Sequence, residues 1–246
     1  MQYKIDWLSI TVPDVDINKQ ELEQLFGQQF YSGGGRAPYS FSLRTKNNGI
    51  TVFYGANVLI ELSGIGCSMV GIELLHDLLQ YNVTRIDLAI DLELPLSVLT
   101  DDTTYSGHYK SETGETFYYG SMKSDTFVRV YRYNEPHPRS NLTRIEQVFR
   151  RRNAKMIASA IIEQRNDEIA ATIIKKLNRH KINHEFTSNA KALLVNNDAK
   201  DNKTLAGTIR WLSVQVKPAL EKLQAVGITK QELMGYLGLT EPPYGL

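Results

Sequence analysis

One short stretch of the chain carries a tyrosine between arginines at β-strand spacing. In the segment FVRVYRY, a strand would place Arg129, Tyr131 and Tyr133 on one face and Val128 and Val130 on the other. A tyrosine hydroxyl can attack a phosphodiester and retain one end of the strand as a phosphotyrosine. Arginine adds charge-assisted, bidentate hydrogen bonds to the same phosphate. The spacing therefore indicates phosphoryl-transfer chemistry.

The next segment, LTRIEQVFR, has the same period. Its charged side chains Arg144, Glu146 and Arg150 share one face, and Ile145 and Phe149 share the opposite face. If the two strands pair, the tyrosine lies close to a carboxylate and two guanidinium groups.

A third alternation, VTRIDLAIDL, places Arg85, Asp87, Ala89 and Asp91 on one face and apolar residues on the other. Two carboxylates two residues apart can bridge a divalent cation. A sheet whose second face is wet explains the same pattern, and this segment alone slightly favours that interpretation. The recurrence of acidic residues on predicted strands favours the metal site; these residues are Glu61, Asp87, Asp91 and Glu146.

Charge along the chain is unevenly distributed. The 246 residues carry a net charge of only +1, but the stretch from Arg129 to Lys155 holds eight basic residues and two acidic ones. Such a patch can hold phosphates. A solvated junction between a strand and a helix explains Arg150, Arg151 and Arg152 equally well.

The single cysteine, Cys67, excludes an internal disulfide and a cysteine-based metal site, which favours a reducing compartment. The N-terminal segment is charged and alternating, unlike a signal peptide, and no apolar run is long enough to span a bilayer. We expect a soluble protein in the cytoplasm of a bacterial host, without a membrane partner.

Element patterns predict an α+β fold, with an antiparallel β-sheet body and packed helices, followed by a helical C-terminal section. The predicted strands include 4–12, 50–54, 57–62 and 83–92, and a helix is predicted over 68–80. The glycines after Ser32 predict a hinge or turn. Later helices are predicted over 154–164, 168–178, 204–226 and 229–239, the last with a capping box of Thr229 and Glu232. We place a soft boundary at residue 152, so that 1–152 form the β-rich body and 153–246 a helical section that can belong to the same domain.

Four blocks in this order, VLIELSG, VTRIDLAIDL, ETFYYGSMKSDTFVRVYRYN and LTRIEQVFRR, resemble the replication initiation factor (Rep_trans) family. This family comprises rolling-circle replication initiators of small plasmids and filamentous phages, and certain relaxases of conjugative elements. The resemblance spans roughly residues 5 to 155 and implies a Rep nuclease-like sheet.

The resemblance implies specific roles. Tyr131 would be the nucleophile, assisted by Arg129, and the metal-ligand candidates for Mg²⁺ or Mn²⁺ would be Asp87, Glu146, Glu61 and Asp91. The function implied is site-specific, metal-dependent nicking and rejoining of DNA at a replication origin, through a covalent 5′-phosphotyrosine. The partners implied are origin DNA as a single strand or hairpin, a second copy of the chain in a homodimer, and a host helicase. Contacts to the DNA backbone are expected from Lys123, Arg144, Arg150, Arg151 and Arg152.

The chain departs from the family pattern at two positions. Tyr133 stands where family members commonly carry a lysine, which makes it a candidate second nucleophile or stacking residue, and Val148 replaces a second acidic residue. None of the five histidines forms the His-hydrophobic-His motif of better-known rolling-circle nucleases. His180 and His184, four residues apart, are expected to be solvated.

Two alternatives stay open. A conjugative relaxase would use the same chemistry, and a non-catalytic, sequence-specific DNA-binding protein would use the basic patch for phosphates and the tyrosines for stacking on bases. The second alternative predicts salt-sensitive binding without a covalent adduct.

Overall fold

The structure is a computed structural model of the whole chain. It describes residues 1–13, 18–100, 105–111, 114–132 and 142–193, together with Glu221, Gln224, Gly227, Thr229 and Glu232. Tyr133 and most of the predicted helices over 204–226 and 229–239 lie outside the described residues.

The described part of the chain forms one antiparallel sheet of ten strands. The strands are β1 (Lys4–Pro13), β2 (Phe30–Gly34), β3 (Phe41–Thr45), β4 (Ile50–Tyr54), β5 (Asn57–Ser63), β6 (Asn82–Leu92), β7 (Gly107–Ser111), β8 (Gly114–Tyr119), β9 (Thr126–Arg132) and β10 (Thr143–Arg150). Their order across the sheet is β2-β3-β4-β5-β1-β6-β10-β9-β8-β7. The centre of the sheet is thus made by β1, β6 and β10, which are distant in sequence.

Six helices accompany the sheet in the described residues. They are α1 (Lys19–Phe26), α2 (Gly64–Met69), α3 (Ile72–Leu79), α4 (Leu96–Thr100), α5 (Arg151–Ile162) and α6 (Asn166–Arg179). The combination of an antiparallel sheet with packed helices confirms the predicted α+β class.

The hydrophobic core lies on one face of this sheet. Alternate strand residues such as Leu8, Ile86 and Val130 are fully buried there, and they belong to the same apolar cluster as Ile157 of α5 and Leu177 of α6. Because strand side chains alternate between faces, the charged residues of the same strands must occupy the opposite face.

Three local predictions were wrong. The helix predicted over 68–80 is two helices, because Gly71 between them has extended backbone and serves as the N-cap of α3. Of the glycines after Ser32, Gly33 and Gly34 continue the edge strand β2, and only Gly35 lies beyond it. Gly33 pairs with Ser42, and a Cβ on Gly33 would lie 2.7 Å from the Ser42 Oγ. His180 and His184 are partly buried, and each has a buried Nε2 without a hydrogen-bond partner among the described residues.

The chain divides into two compact units, Met1–Asn197 and Asp198–Leu246. α5 and α6 belong to the first unit together with the sheet. In the second unit the predicted capping box is present: the Thr229 Oγ1 accepts from the Glu232 N at 3.2 Å, and the Thr229 N donates to the Glu232 Oε2 at 2.8 Å. Within the described residues, every helix is too short or too polar to cross a membrane.

Candidate active site

Strand register brings the predicted chemical residues together on the face opposite the core. β10 lies between β9 and β6, so Glu146 stands opposite Arg129 on one side and Ala89 on the other. Arg144 likewise stands between Tyr131 and Asp91. The two strands do pair, which is the condition under which the sequence placed Tyr131 close to a carboxylate and guanidinium groups.

A chain of polar contacts runs from Tyr131 across three strands. The Tyr131 hydroxyl donates to Glu146 Oε1, and Arg129 Nη2 donates to Glu146 Oε2. The same Nη2 lies 3.1 Å from Asp87 Oδ2, and Asp87 also accepts from the Arg85 Nε at 2.9 Å and the Arg85 Nη2 at 2.5 Å. Arg129 therefore bridges two carboxylates, and its buried Nε has no hydrogen-bond partner among the described residues.

A second network lies beside the first, centred on Arg144. Its Nε and Nη2 donate to Asp91 at 2.6 and 2.9 Å, and its Nη1 donates to Asp6 at 2.8 Å. The Lys4 Nζ lies 2.7 Å from the second Asp91 oxygen. Arg144 is only 3% exposed, so its charge is directed at these carboxylates. This placement favours a role inside the network over the contact with DNA expected from the sequence.

Asp6 is a member of the site that the sequence analysis missed. The register of β1 against β6 shifts between Ile5 and Trp7, which is a β-bulge at Asp6. A bulge adds one residue and so redirects a side chain that strict alternation would send to the other face. Gly64 permits the close approach, because a Cβ there would lie 2.8 Å from Asp6 Oδ1. The available sequence signal was the pair of polar residues Lys4 and Asp6 at the start of an apolar strand.

Burial of these charges changes their proton affinities. Burial raises the pKa of Glu146 to about 7, and the neighbouring carboxylates of Asp6 and Asp87 add to the rise while Arg129 opposes it. Burial also raises the pKa of Asp87. The pKa of Tyr131 is raised above that of free tyrosine, first by burial and then by the charge of Glu146. The site thus combines a protonated phenol with a carboxylate that titrates near neutrality.

The oxygen donors of this face suit a hard divalent cation by type. Among the described residues, no group of three or more histidine, cysteine, aspartate or glutamate side chains is arranged to hold a metal. Mg²⁺ commonly uses one or two carboxylates and takes its other ligands from water and substrate phosphates. Asp87 and Glu146, which both contact Arg129, are the two metal-ligand candidates that the structure brings together.

Glu61 and Asp91 stand apart from that pair. The Glu61 Oε1 accepts from the Arg36 Nη2 at 2.7 Å and from the Ser9 Oγ at 3.4 Å, on the far side of β1. Asp91 is engaged by Arg144 and Lys4, which lower its pKa although burial acts in the opposite direction. The four metal-ligand candidates are therefore on one face without meeting at one point.

The remaining candidate DNA contacts gather at the end of β10. Arg150 shares the face of Glu146, and its Nη1 donates to the Met122 carbonyl at 2.5 Å in the turn that carries Lys123. The Arg151 Nη1 lies 3.0 Å from Asp125 Oδ1 and its side chain is 78% exposed. Arg152 and Lys123 are also exposed. These four residues form a basic group beside the Tyr131 network.

Comparisons with known proteins agree with this architecture. The structure is similar to that of a rolling-circle replication initiator protein from Geobacillus stearothermophilus, with a TM-score of 0.55 and 21% sequence identity. The match covers 71% of this chain and 85% of that chain. No protein-family model and no curated protein matches the chain. The likeness shows a fold shared with a rolling-circle initiator.

Proposed function

We propose that this protein is a rolling-circle DNA replication initiator that nicks and rejoins one DNA strand through Tyr131. The observation that carries the proposal is the contact of the Tyr131 hydroxyl with Glu146, whose other oxygen faces Arg129. A nucleophile, a proton acceptor and a cation for the phosphate are thereby adjacent. The fold shared with a rolling-circle initiator supports the same conclusion.

In the cleavage step, the Tyr131 oxygen attacks the phosphorus of the scissile phosphodiester, and its proton passes to Glu146 Oε1. Without a bound cation, burial raises the pKa of Glu146 to about 7, and a carboxylate with a pKa near the working pH suits a proton acceptor. The bond from phosphorus to the 3′ oxygen breaks, the leaving oxygen takes up a proton, and the 5′ end stays on the tyrosine. Rejoining is the reverse, with a 3′ hydroxyl attacking the phosphotyrosine.

Arg129 has the position to stabilise the phosphate during this step. Its Nη2 is shared between Asp87 and Glu146, and its Nε has no partner among the described residues. A guanidinium directed at developing negative charge in a site of low dielectric is a strong source of transition-state stabilisation. Arg129 would therefore exchange a carboxylate contact for a contact with the phosphate when DNA binds.

Asp87 and Glu146 would hold a divalent cation, Mg²⁺ or Mn²⁺. When bound, such a cation would neutralise the phosphate and polarise a non-bridging oxygen. Glu61 and Asp91 would lie at the edge of this metal site on the same face. Glu61 pairs with Arg36, and Asp91 pairs with Arg144 and Lys4.

The biological setting follows from the chemistry and the family resemblance. The substrate would be a replication origin presented as a single strand or hairpin, and the partners would be a second copy of the chain and a host helicase. Lys123, Arg150, Arg151 and Arg152 would contact the DNA backbone. A conjugative relaxase would perform the same reaction at a transfer origin.

A denaturant-resistant adduct assay tests the proposal. Wild type, Tyr131→Phe and Tyr118→Phe are each incubated with labelled single-stranded origin oligonucleotides in Mn²⁺ or in EDTA. Tyr118 is a matched control because it lies on the same face, opposite Arg129 on β8. We expect a metal-dependent adduct in wild type and Tyr118→Phe, and none in Tyr131→Phe.

Three other results of the adduct assay would each contradict part of the proposal. An adduct that survives in Tyr131→Phe transfers the role of nucleophile to another tyrosine, with Tyr133 first. Salt-sensitive binding of cleavable origin DNA without any adduct replaces the nicking proposal with the non-catalytic binding protein. An adduct that forms equally in EDTA removes the metal from the proposal.

A further inference from the structure

Two arginines face each other across the pairing of β6 with β10. Arg85 is directly opposite Arg150, on the same face as the Tyr131 network. Like charges directly opposite one another on paired strands are destabilising. The pKa of Arg150 is lowered, first by burial and then by the charge of Arg85. Two positive charges therefore lie side by side at this end of the sheet face.

The two guanidinium groups have unequal partners. Arg85 is neutralised through its Nε and Nη2 by Asp87. Arg150 donates to the neutral Met122 carbonyl and lies over the Phe127 ring at 5.1 Å, and among the described residues it forms no salt bridge. Asp87 attracts both arginines, but its close contacts are with Arg85. Arg150 is therefore a partly buried cation without a close counter-ion, and a bound anion would supply one.

Trp7, on the neighbouring strand β1, lies against the Arg85 guanidinium. The Arg85 guanidinium carbon lies 4.8 Å from the centre of the indole, and the indole Nε1 donates to the Ser9 Oγ at 2.7 Å. A guanidinium held by a carboxylate on one edge and an aromatic ring on one face has little rotational freedom left to lose on binding. The hydrogen bonds to Asp87 use the Nε and Nη2 of Arg85, which leaves its Nη1 for a phosphate oxygen.

We propose that Arg85 and Arg150 bind a second phosphodiester of the DNA strand, separate from the one that Tyr131 cleaves, with Trp7 as the support that orients Arg85. The inference rests on the proposed function for the identity of the ligand. It assigns a binding role to Arg85 and Trp7, and it selects Arg150 from the basic group as the residue that supplies the unneutralised charge.

The position of this subsite sets a requirement on the length of the DNA. Arg129, the residue proposed to contact the cleaved phosphate, is opposite Glu146, and Arg150 is four residues further along β10. These two backbone positions are therefore about 14 Å apart at about 3.4 Å per strand residue. An oligonucleotide that covers only the cleaved phosphate cannot reach both points. The effect of Arg150 should therefore appear only with longer strands.

The experiment measures binding as a function of salt and oligonucleotide length. Fluorescence anisotropy is recorded between about 50 and 200 mM salt for labelled single strands of about 4 and about 16 nucleotides centred on the nick site. The proteins are wild type, Arg150→Gln, Arg150→Lys and the control Arg165→Gln, whose arginine precedes α6 and pairs with Glu163 and Glu168. In a Trp211→Phe background, the emission of Trp7 reports the subsite directly.

With the long strand, Arg150→Gln is expected to reduce the slope of log Kobs against log salt by about 0.7, the value for one phosphate contact on a single strand. Arg150→Lys should keep the slope because it keeps the charge, Arg165→Gln should match wild type, and only the long strand should change the Trp7 emission. Equal slopes for wild type and Arg150→Gln on the long strand would overturn the subsite, as would an equal loss on both lengths.

Failure of the subsite and failure of the proposed function are distinguishable, because binding and adduct formation are measured separately. A length-dependent effect of Arg150→Gln without any adduct in wild type leaves the subsite and removes the nicking activity. An adduct in wild type with no effect of Arg150→Gln on the salt slope supports the nicking activity and removes the subsite.

Discussion

Replacing Glu146 with glutamine is expected to remove a pH dependence from the free energy of unfolding. Burial raises the pKa of Glu146 from the ordinary value of 4.5 to about 7, with Asp6 and Asp87 adding to the rise. Between these two values the folded state binds a proton that the unfolded chain has released. The free energy of unfolding must therefore fall as the pH rises through this window.

The magnitude follows from the same two pKa values. A separation from 4.5 to about 7 corresponds to a loss of about 3 kcal/mol in the free energy of unfolding, at about 1.4 kcal/mol per pH unit. Solvent screening reduces this loss little, because Glu146 is only 1% exposed. Other groups titrate in the same range, so the informative quantity is the difference between wild type and Glu146→Gln at each pH.

Urea unfolding followed by circular dichroism at pH values from 4.5 to 8.5 measures this difference. The free energy of unfolding of wild type, minus that of Glu146→Gln, should decline as the pH rises and then level off above about pH 7. Glu73→Gln is the control, because Glu73 is an exposed carboxylate on α3 and its substitution should leave the wild-type profile unchanged. Parallel profiles for wild type and Glu146→Gln would refute the assignment of a raised pKa to Glu146.

Three further outcomes are expected. Arg144→Gln should lower the free energy of unfolding, measured in urea, by about 3 to 5 kcal/mol, because it leaves Asp6 and Asp91 without their shared cation. A loss no larger than that of the surface variant Arg165→Gln would contradict this. Gly66→Ala should lower the free energy of unfolding by at least about 1 to 3 kcal/mol in the same assay, because the new Cβ would lie 1.9 Å from the Gly49 carbonyl oxygen. An unchanged urea midpoint would contradict this and show that the backbone shifts there without cost. The Tyr131 phenol should titrate above free tyrosine in NMR spectra of ring-labelled protein, with Tyr131→Phe identifying its signal, and Glu146→Gln should shift that titration downward.

The sequence by itself determined which residues share a face. The two-residue period of β6, β9 and β10 separates Asp87, Glu146 and Tyr131 from the apolar residues between them, and the structure keeps that division. Alternation is a local property of extended backbone, so it can be predicted without knowing the partner strand. The α+β class followed from the same periodicity together with the helical patterns after residue 150.

Strand order and register were decided only by the tertiary structure. β6 lies between β1 and β10, and this non-local arrangement puts Arg129 between Asp87 and Glu146 and encloses Arg144 among carboxylates. The bulge at Asp6 breaks the alternation on which the sequence analysis relied. The glycines of β2 were likewise predicted to form a hinge or turn from their local propensity, but their pairing with β3 outweighs that preference. Which charges meet is a matter of long-range pairing, and pairing across a hundred residues leaves no periodic signal in the chain.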